Sequence, residues 1–206
     1  GHAVAAAHER LEKKADTVLV TFADMPLLRS ETLKKLLDLH QQSGNPVTMT
    51  SFMGEEGSSF GRVVRDRAGT VSAIVEQAVA TPEQLSIREY NVSAYCFDAN
   101  WLWSALEQIP ISPKGEYYLT DVVGLAVGAG FKVESLVLED PLEAIGPNNR
   151  VHLAAAEKAM QKRINEKWML AGVTMINPET TYIEADVLIE QDTVIYPNTY
   201  LRGTTV

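Results

Sequence analysis

The fold class of this chain follows from TVLVTFADMPLLRSETLKKLLDLHQQSGNPVTMTSF, residues 17–52. Residues 17–22 are a short, β-branched and nearly continuous apolar run, which is typical of a strand buried on both faces. A predicted helix with a leucine-rich side opens at Ser30 and is broken at Gly44-Asn45-Pro46. The next strand is predicted over residues 47–52. Strand, helix and strand in this order indicate a right-handed parallel crossover.

Helices and strands continue to alternate on both sides of this unit. A hairpin is predicted where two short strands, residues 61–66 and 71–76, flank the turn Arg67-Ala68-Gly69-Thr70. This alternation predicts an α/β layered domain that ends near residue 148. The other elements predicted in it are helices over 3–14, 101–109 and 119–129, and strands over 90–97 and 131–138.

The C-terminal part has a different periodicity. One long helix is predicted over residues 149–171, and Gly172 ends it. After it, aliphatic residues recur at intervals of six, a repeat that is typical of a left-handed parallel β-helix. Chance spacing in a Val/Ile-rich segment is the competing explanation. The repeat consists of Ile183, Ile189, Ile195 and Leu201. From the change of periodicity we predict three parts of the chain: residues 1–148, 149–171 and 172–206.

Composition narrows the classes of function. The 206 residues are 46% hydrophobic and 22% charged, with a net charge of −9, which argues against binding to nucleic acid or to an anionic membrane surface. A single cysteine, Cys96, excludes an intrachain disulfide and favours a reducing, cytoplasmic compartment. The chain contains no run of 18 apolar residues and no signal-peptide pattern. It starts without Met and ends within the repeat, so we expect a piece of a longer protein.

Several polar residues stand at the ends of predicted strands, where parallel α/β sheets bind ligands. Asp24 follows the first strand and is either a cation ligand or a turn cap. Asn148 precedes the long helix, where an Asn is either an N-cap or an amide ligand for Mg²⁺, which needs few protein oxygens. Glu76 and Asn91 are candidates for binding sugar hydroxyls, and turn positions are the alternative.

Residues 115–121, GEYYLTD, place two aromatic side chains and several hydrogen-bonding groups at a helix start. Helix capping by Glu116 and Thr120 is the simpler interpretation of this segment. Cys96 lies in an apolar strand and is predicted to be a core thiol. The four histidines show no metal-ligand spacing, and no Ser-His-Asp arrangement is apparent.

In this order, the motifs resemble those of the bacterial bifunctional N-acetylglucosamine-1-phosphate uridyltransferases/glucosamine-1-phosphate acetyltransferases. The resemblance covers nearly the whole chain, and the GEYYLTD element is its most specific part. It implies a Rossmann-like nucleotidyltransferase domain with a mostly parallel sheet, followed by the long helix and the start of a left-handed β-helix. The motifs are FADMPLL at 22–28, FGRVVR at 60–65, IVE at 74–76, YN at 90–91, GEYYLTD at 115–121 and GPNNR at 146–150.

The resemblance also implies a reaction and a set of site residues. UTP and N-acetylglucosamine-1-phosphate would give UDP-N-acetylglucosamine and pyrophosphate, with Mg²⁺ as cofactor and a homotrimer formed through the β-helix. Asp24 and Asn148 match the family's Mg²⁺ ligands, and Gly1 matches a glycine near the uracil. The positions that match the sugar-phosphate contacts are Gly61, Glu76, Asn91, Tyr118 and Thr120.

The sequence departs from the family in ways that bear on activity. The family's Leu-x-x-Gly-x-Gly-Thr-x-Met loop, which cradles the triphosphate, has no counterpart in these 206 residues, so we expect the chain alone to be inactive. The acetyltransferase site has no counterpart either. Ala23, Ser93 and Pro147 stand where the family has Gly, Gly and Val. Two alternatives remain: a nucleotidyltransferase for another sugar-1-phosphate, and a non-catalytic, trimerising module that binds sugar nucleotides.

Overall fold

The computed structural model describes residues 1–55, 60–112 and 115–205. The chain divides into two compact units, residues 1–144 and residues 145–206. This division lies a few residues before the boundary at 148 that the sequence indicates. Each unit has its own hydrophobic core.

A six-stranded sheet forms the centre of the first unit, with strand order β4-β3-β5-β2-β6 and with β1 also paired to β5. β5 is the longest strand and contacts three others, because its 10 residues offer one edge to β2 and the other edge to both β1 and β3. The strands are β1 (Thr17–Val20), β2 (Val47–Met53), β3 (Arg62–Arg65), β4 (Val71–Val75), β5 (Glu89–Asp98) and β6 (Glu134–Val137).

The prediction of a mostly parallel sheet was wrong for the described residues. Within this sheet the parallel pairing is that of β2 with β6, whereas β1, β2 and β3 each pair antiparallel with β5. β1 and β2 do point the same way, as the crossover predicts, but β5 lies between them. The predicted hairpin is confirmed as the antiparallel pair of β3 and β4. The α/β class is confirmed, and the sheet is mixed.

Helices cover both faces of this sheet. One face carries α3, and residues of this helix pack on Ala94 and Cys96 of β5. The other face carries α5 and α6, which pack on Tyr95 and Phe97 of the same strand. Alternate β5 side chains therefore serve two core layers, which explains its nearly continuous apolar run. The helices are α1 (His2–Ala5), α2 (His8–Leu11), α3 (Ser30–Ser43), α4 (Pro82–Leu85), α5 (Ala99–Leu106) and α6 (Asp121–Gly128).

Two local predictions need correction. The helix predicted over residues 3–14 is two single-turn helices, α1 and α2, joined by a turn. β1 is not buried on both faces: Val18 is buried, but the Leu19 side chain is 43% exposed.

Cys96 is the predicted core thiol, and burial raises its pKa to about 12. The thiol is therefore protonated at neutral pH.

The second unit begins with a long helix, α7 (Arg150–Leu170), which matches the predicted connecting helix within one residue at each end. Four two-residue strands follow and pair in parallel, β10 with β8 and β7 with β9. Tyr200 pairs with Tyr182, eighteen residues earlier, and the two rings stack with centroids 4.8 Å apart. The strands are β7 (Thr174–Met175), β8 (Tyr182–Ile183), β9 (Val194–Ile195) and β10 (Tyr200–Leu201).

The six-residue aliphatic repeat faces one core in this unit. Ile183 and Ile195 are buried against Trp168 of α7, and Ile189 and Leu201 pack against the same cluster. Asn165 of α7 is 2% exposed and joins the helix to the following loop. Its Nδ2 donates to the carbonyl oxygens of Pro178 at 2.7 Å and Thr181 at 2.9 Å.

Among the helices of the described residues, none has the length and apolar character that crossing a bilayer requires.

Candidate functional site

Glu76 and Thr120, two of the residues that the resemblance selects, meet in the first unit. Glu76 follows β4 directly and is half-buried, and Thr120 lies just before α6 and is 7% exposed. The Thr120 hydroxyl donates to Glu76 Oε1 at 3.1 Å. The capping role considered for Thr120 is not found, because its side chain makes no capping hydrogen bond at α6.

Gly61 lies beside this pair because of the hairpin register. Arg62 pairs with Val75, so the residue before β3 comes next to the residue after β4. A Cβ atom at position 61 would lie 2.9 Å from Ile74 Cγ2 and 3.4 Å from Glu76 Oε1. A Cβ within 3.0 Å of another carbon forces that neighbour to move, so the space at this position, rather than its backbone conformation, favours glycine.

Asn91 completes the group from β5. Its side chain is 3% exposed, and its backbone N–H donates to the Gly61 carbonyl oxygen at 2.9 Å. The four residues thus come from four separate segments. Hydrogen bonds join Thr120 to Glu76 and Asn91 to Gly61, and Gly61 lies beside Glu76. We name this group the Glu76 cluster; its members are Gly61, Glu76, Asn91 and Thr120.

β5 is irregular at Ser93, two residues after Asn91. Its φ is 63°, in the left-handed region that non-glycine residues rarely occupy. The pairing of β2 with β5 shifts register at this point, so the strand bulges there. The Ser93 N–H donates to Asn91 Oδ1 at 3.2 Å, which holds the Asn91 amide in place. A left-handed position explains why the resembling family has glycine here.

Tyr95 is a further polar group near the Glu76 cluster, and the sequence did not single it out. Its side chain is fully buried, and its hydroxyl makes no hydrogen bond within the described residues. Burial raises the pKa of Tyr95 well above its ordinary value, and the negative charge of Glu76 adds to this increase. Polar contacts with the Asn91 and Ser93 side chains act in the opposite direction and lower the pKa, but neither contact has the geometry of a hydrogen bond.

Gly1 and Tyr118 are placed near the GEYYLTD segment. The Gly1 amino group donates to the Tyr117 carbonyl oxygen at 2.6 Å, and a Cβ at Gly1 would meet Tyr117 Cβ at 3.0 Å. Tyr118 is half-buried, and its carbonyl accepts from the Asp121 N–H at 3.2 Å. No hydrogen bond within the described residues joins either one to the Glu76 cluster. Their roles at the uracil and the sugar phosphate therefore stay predictions.

The two predicted Mg²⁺ ligands belong to different units. Asp24 is exposed in the turn after β1, and within the described part of the chain no hydrogen bond or ion pair engages its carboxylate. Asn148 is exposed before α7, and the N-cap is its neighbour Asn149, whose Oδ1 accepts from the His152 N–H at 2.9 Å. Both side chains offer a hard oxygen donor, which fits a cation that takes one or two protein ligands. A Mg²⁺ ion shared by the two stays a prediction.

A buried carboxylate elsewhere in the sheet has a structural role. Glu89, 8% exposed, accepts hydrogen bonds from Arg65 Nε at 2.7 Å, Arg65 Nη2 at 2.6 Å and the Ser51 hydroxyl at 2.7 Å. Burial by itself would raise the pKa of Glu89, but the hydrogen bonds from Arg65 and Ser51 outweigh it and lower that pKa. Its oxygens are satisfied by protein groups, so it is not a ligand-binding candidate.

Comparison with known proteins gives a family and close relatives. Residues 1–120 match the family described as MobA-like NTP transferase domain. The chain is 42% identical to the bifunctional protein GlmU of Shouchella clausii and 44% identical to that of Exiguobacterium sibiricum, with 100% of this chain aligned in both cases. It spans 46% of the length of each of these relatives.

Solved structures show the same fold at low identity. A structure from Entamoeba histolytica assigned to the UDP-N-acetylglucosamine pyrophosphorylases superposes with a TM-score of 0.70 and 15% identity, covering 98% of this chain and 62% of that one. CMP:2-keto-3-deoxy-manno-octonic acid synthetase superposes with a TM-score of 0.54 and 14% identity, covering 76% of this chain and 66% of the other. These similarities support the fold alone.

Proposed function

Because the chain belongs to the family of MobA-like NTP transferase domains, we propose that it is part of a longer enzyme that converts UTP and N-acetylglucosamine-1-phosphate into UDP-N-acetylglucosamine and pyrophosphate. The observation that carries this proposal is the Glu76–Thr120 hydrogen bond, with Gly61 and Asn91 beside it. This arrangement brings together four of the positions that match the resembling family's sugar-phosphate contacts. The similarity to proteins named GlmU, which covers all of this chain and 46% of their length, supports a sugar-1-phosphate nucleotidyltransferase.

The chemistry needs positioning and charge neutralisation more than covalent catalysis. A phosphate oxygen of the sugar phosphate attacks the α-phosphorus of UTP in line, and pyrophosphate leaves. In this proposal the Glu76 carboxylate accepts hydrogen bonds from sugar hydroxyls, and the Asn91 amide both donates and accepts. The Thr120 hydroxyl holds the Glu76 carboxylate in place before the sugar arrives. A fixed carboxylate loses less entropy on binding than a mobile one.

We include Mg²⁺ in the proposal, with Asp24 and Asn148 as the side chains that would hold it. Both expose oxygen donors, and Asp24 is not engaged by another described residue. When bound, Mg²⁺ neutralises phosphate charge and stabilises the departing pyrophosphate. Asp24 supplies the negative charge for the ion, so Asp24→Ala should abolish turnover in a longer protein that also carries the Gly-rich loop.

The 206 residues by themselves are proposed to bind sugar phosphate weakly and to lack turnover. The family's Gly-rich loop supplies backbone N–H donors to the triphosphate, and the sequence has no such motif. Removal of a single preorganised donor costs about 10²–10³ in rate, and a whole loop of donors costs more. The net charge of −9 further opposes binding of a triphosphate.

The second unit is proposed to be the start of a left-handed parallel β-helix that trimerises the longer protein. The eighteen-residue spacing of β8 and β10 equals three hexapeptides, and the aliphatic residue of each hexapeptide faces the shared core. We keep 1–148, 149–171 and 172–206 as the nucleotidyltransferase part, the connecting helix and the first coils. The acetyltransferase site that the resemblance implies has no counterpart in these residues.

Calorimetry on the purified chain tests the proposal. Titration with N-acetylglucosamine-1-phosphate should give saturable binding, which Glu76→Gln should abolish or strongly weaken. Glucose-1-phosphate and glucosamine-1-phosphate serve as competitors. Tighter binding of glucose-1-phosphate would favour the alternative of another sugar-1-phosphate, and absence of binding to every sugar phosphate would reject the assignment. A pyrophosphate-release assay with UTP and Mg²⁺ on the same sample should show no turnover.

A further inference from the structure

Tyr95 is the one fully buried tyrosine of β5 whose hydroxyl is left without a protein partner among the described residues. Tyr90, on the same strand and equally buried, donates from its hydroxyl to the Glu55 carbonyl oxygen at 2.8 Å. The Tyr95 ring itself is well packed, stacked on Phe97 with centroids 5.6 Å apart. A phenylalanine at position 95 would keep this packing and avoid burying a polar group. A buried hydroxyl without a partner costs free energy of unfolding.

The Tyr95 side chain lies near the Glu76 cluster, because it packs in the same core as Ile74, which borders Gly61. Asn91 and Ser93 are on the same strand as Tyr95, and together with the Glu76 carboxylate they influence its hydroxyl. The strand bulge between these residues contributes to this placement, because the left-handed backbone at Ser93 interrupts the regular pairing of β5 with β2. The Asn91 Nδ2 to Ser93 Oγ contact, 3.4 Å long, is a weak hydrogen bond that a better partner can replace.

We propose that Tyr95 is a positioning residue for sugar-phosphate binding, whose hydroxyl donates a hydrogen bond to the Asn91 side chain when the ligand occupies the Glu76 cluster. The ligand replaces the weak contact of the Asn91 amide with Ser93, the amide turns, and the Tyr95 hydroxyl then gains the partner that it lacks in the free protein. The inference rests on the proposed function. The Tyr95 hydroxyl therefore lowers the stability of the free protein and raises its affinity for the ligand.

The test compares Tyr95→Phe with Tyr90→Phe in the full chain by thermal melting and by calorimetry with N-acetylglucosamine-1-phosphate. We expect Tyr95→Phe to melt about 2–4 °C higher, because it removes an unpaired buried hydroxyl. It should bind the sugar phosphate about threefold to tenfold more weakly, the range of one neutral hydrogen bond. Tyr90→Phe should melt lower than the parent, since its hydroxyl is already paired, and should keep the parent's affinity.

The outcomes separate this inference from the proposed function. If the parent chain binds no sugar phosphate, the proposed function fails and the inference fails with it. If the parent binds and Tyr95→Phe binds equally well, the inference fails while the proposed function stands. A Tyr95→Phe protein that melts lower than the parent would show that the hydroxyl already has a partner, which also overturns the inference. A purely structural role would change the melting temperature but not the affinity.

Discussion

Gly61→Ala tests whether the space at position 61 shapes the sugar-phosphate site. The added Cβ would lie 2.9 Å from Ile74 Cγ2 and 3.4 Å from Glu76 Oε1. Ile74 is 7% exposed and packed in the core, so the strain moves the end of β4 and the Glu76 carboxylate with it. Overpacking of this kind costs about 1–3 kcal/mol of unfolding free energy. Loss of one well-placed hydrogen bond to a charged group costs about 1.5–3 kcal/mol of binding free energy, which weakens binding at least about tenfold.

The assay is calorimetric titration with N-acetylglucosamine-1-phosphate, combined with thermal melting. Gly124→Ala is the matched control, because Gly124 is exposed within α6 and an added Cβ would meet nothing within 4 Å. This control should keep the parent's affinity and gain about 0.5–1 kcal/mol of stability. In an Ile74→Ala background, Gly61→Ala should cost less stability, since the nearest contact is gone. A folded Gly61→Ala protein that binds as tightly as the parent would refute the reasoning.

Four further predictions concern stability and the metal. Hydrogen bonds lower the pKa of Glu89 below 4.5, so the stability that they add should be lost as pH falls through the lowered pKa; Glu89→Gln should melt lower at pH 7 and lose this part of the pH dependence in melts from pH 7 to 3. Burial lowers the pKa of His40 below 6.5, although the charge of Asp98 opposes this shift. The unfolded chain therefore binds the proton more readily than the folded one, and the free energy of unfolding should fall as the pH drops from 7 to 5. Urea titrations of His40→Gln should show a flatter dependence of this free energy on pH. Asn165→Leu should destabilise the second unit by about 2–4 kcal/mol in chemical denaturation, because one buried and one partly buried carbonyl oxygen lose their donor. Asp24→Asn should melt as the parent does, since its side chain is exposed, and should weaken Mg²⁺ binding measured by calorimetry; unchanged binding would remove Asp24 from the metal site.

Much of the fold could be predicted from the sequence because it is encoded locally. The helix over Ser30–Ser43 and the hairpin of β3 and β4 both follow from short-range patterns of apolar and turn residues. The direction of β5 could not be predicted, since an apolar run contains no information on the direction in which a strand enters the sheet. The insertion of β5 between β1 and β2 depends on contacts distant in sequence.

The residues of the candidate site could likewise be predicted only in part from the sequence. Motif order identified Gly61, Glu76, Asn91 and Thr120, and the structure brings all four together. Tyr95 was missed because a tyrosine in an apolar strand is usually a core residue. The available signal was the pair of polar residues at 91 and 93 in an otherwise apolar run, which indicates that one face of β5 near Tyr95 adjoins a polar site.

The central claim is that the Glu76 cluster binds the sugar phosphate. It is tested most directly by two-dimensional ¹H–¹⁵N NMR of the labelled chain during titration with N-acetylglucosamine-1-phosphate. We predict saturable shifts that are largest at the backbone amides of the Glu76 cluster and of Ser93, and that disappear in Glu76→Gln. Saturable shifts confined to other parts of the chain, or shifts that Glu76→Gln leaves unchanged, would contradict the claim.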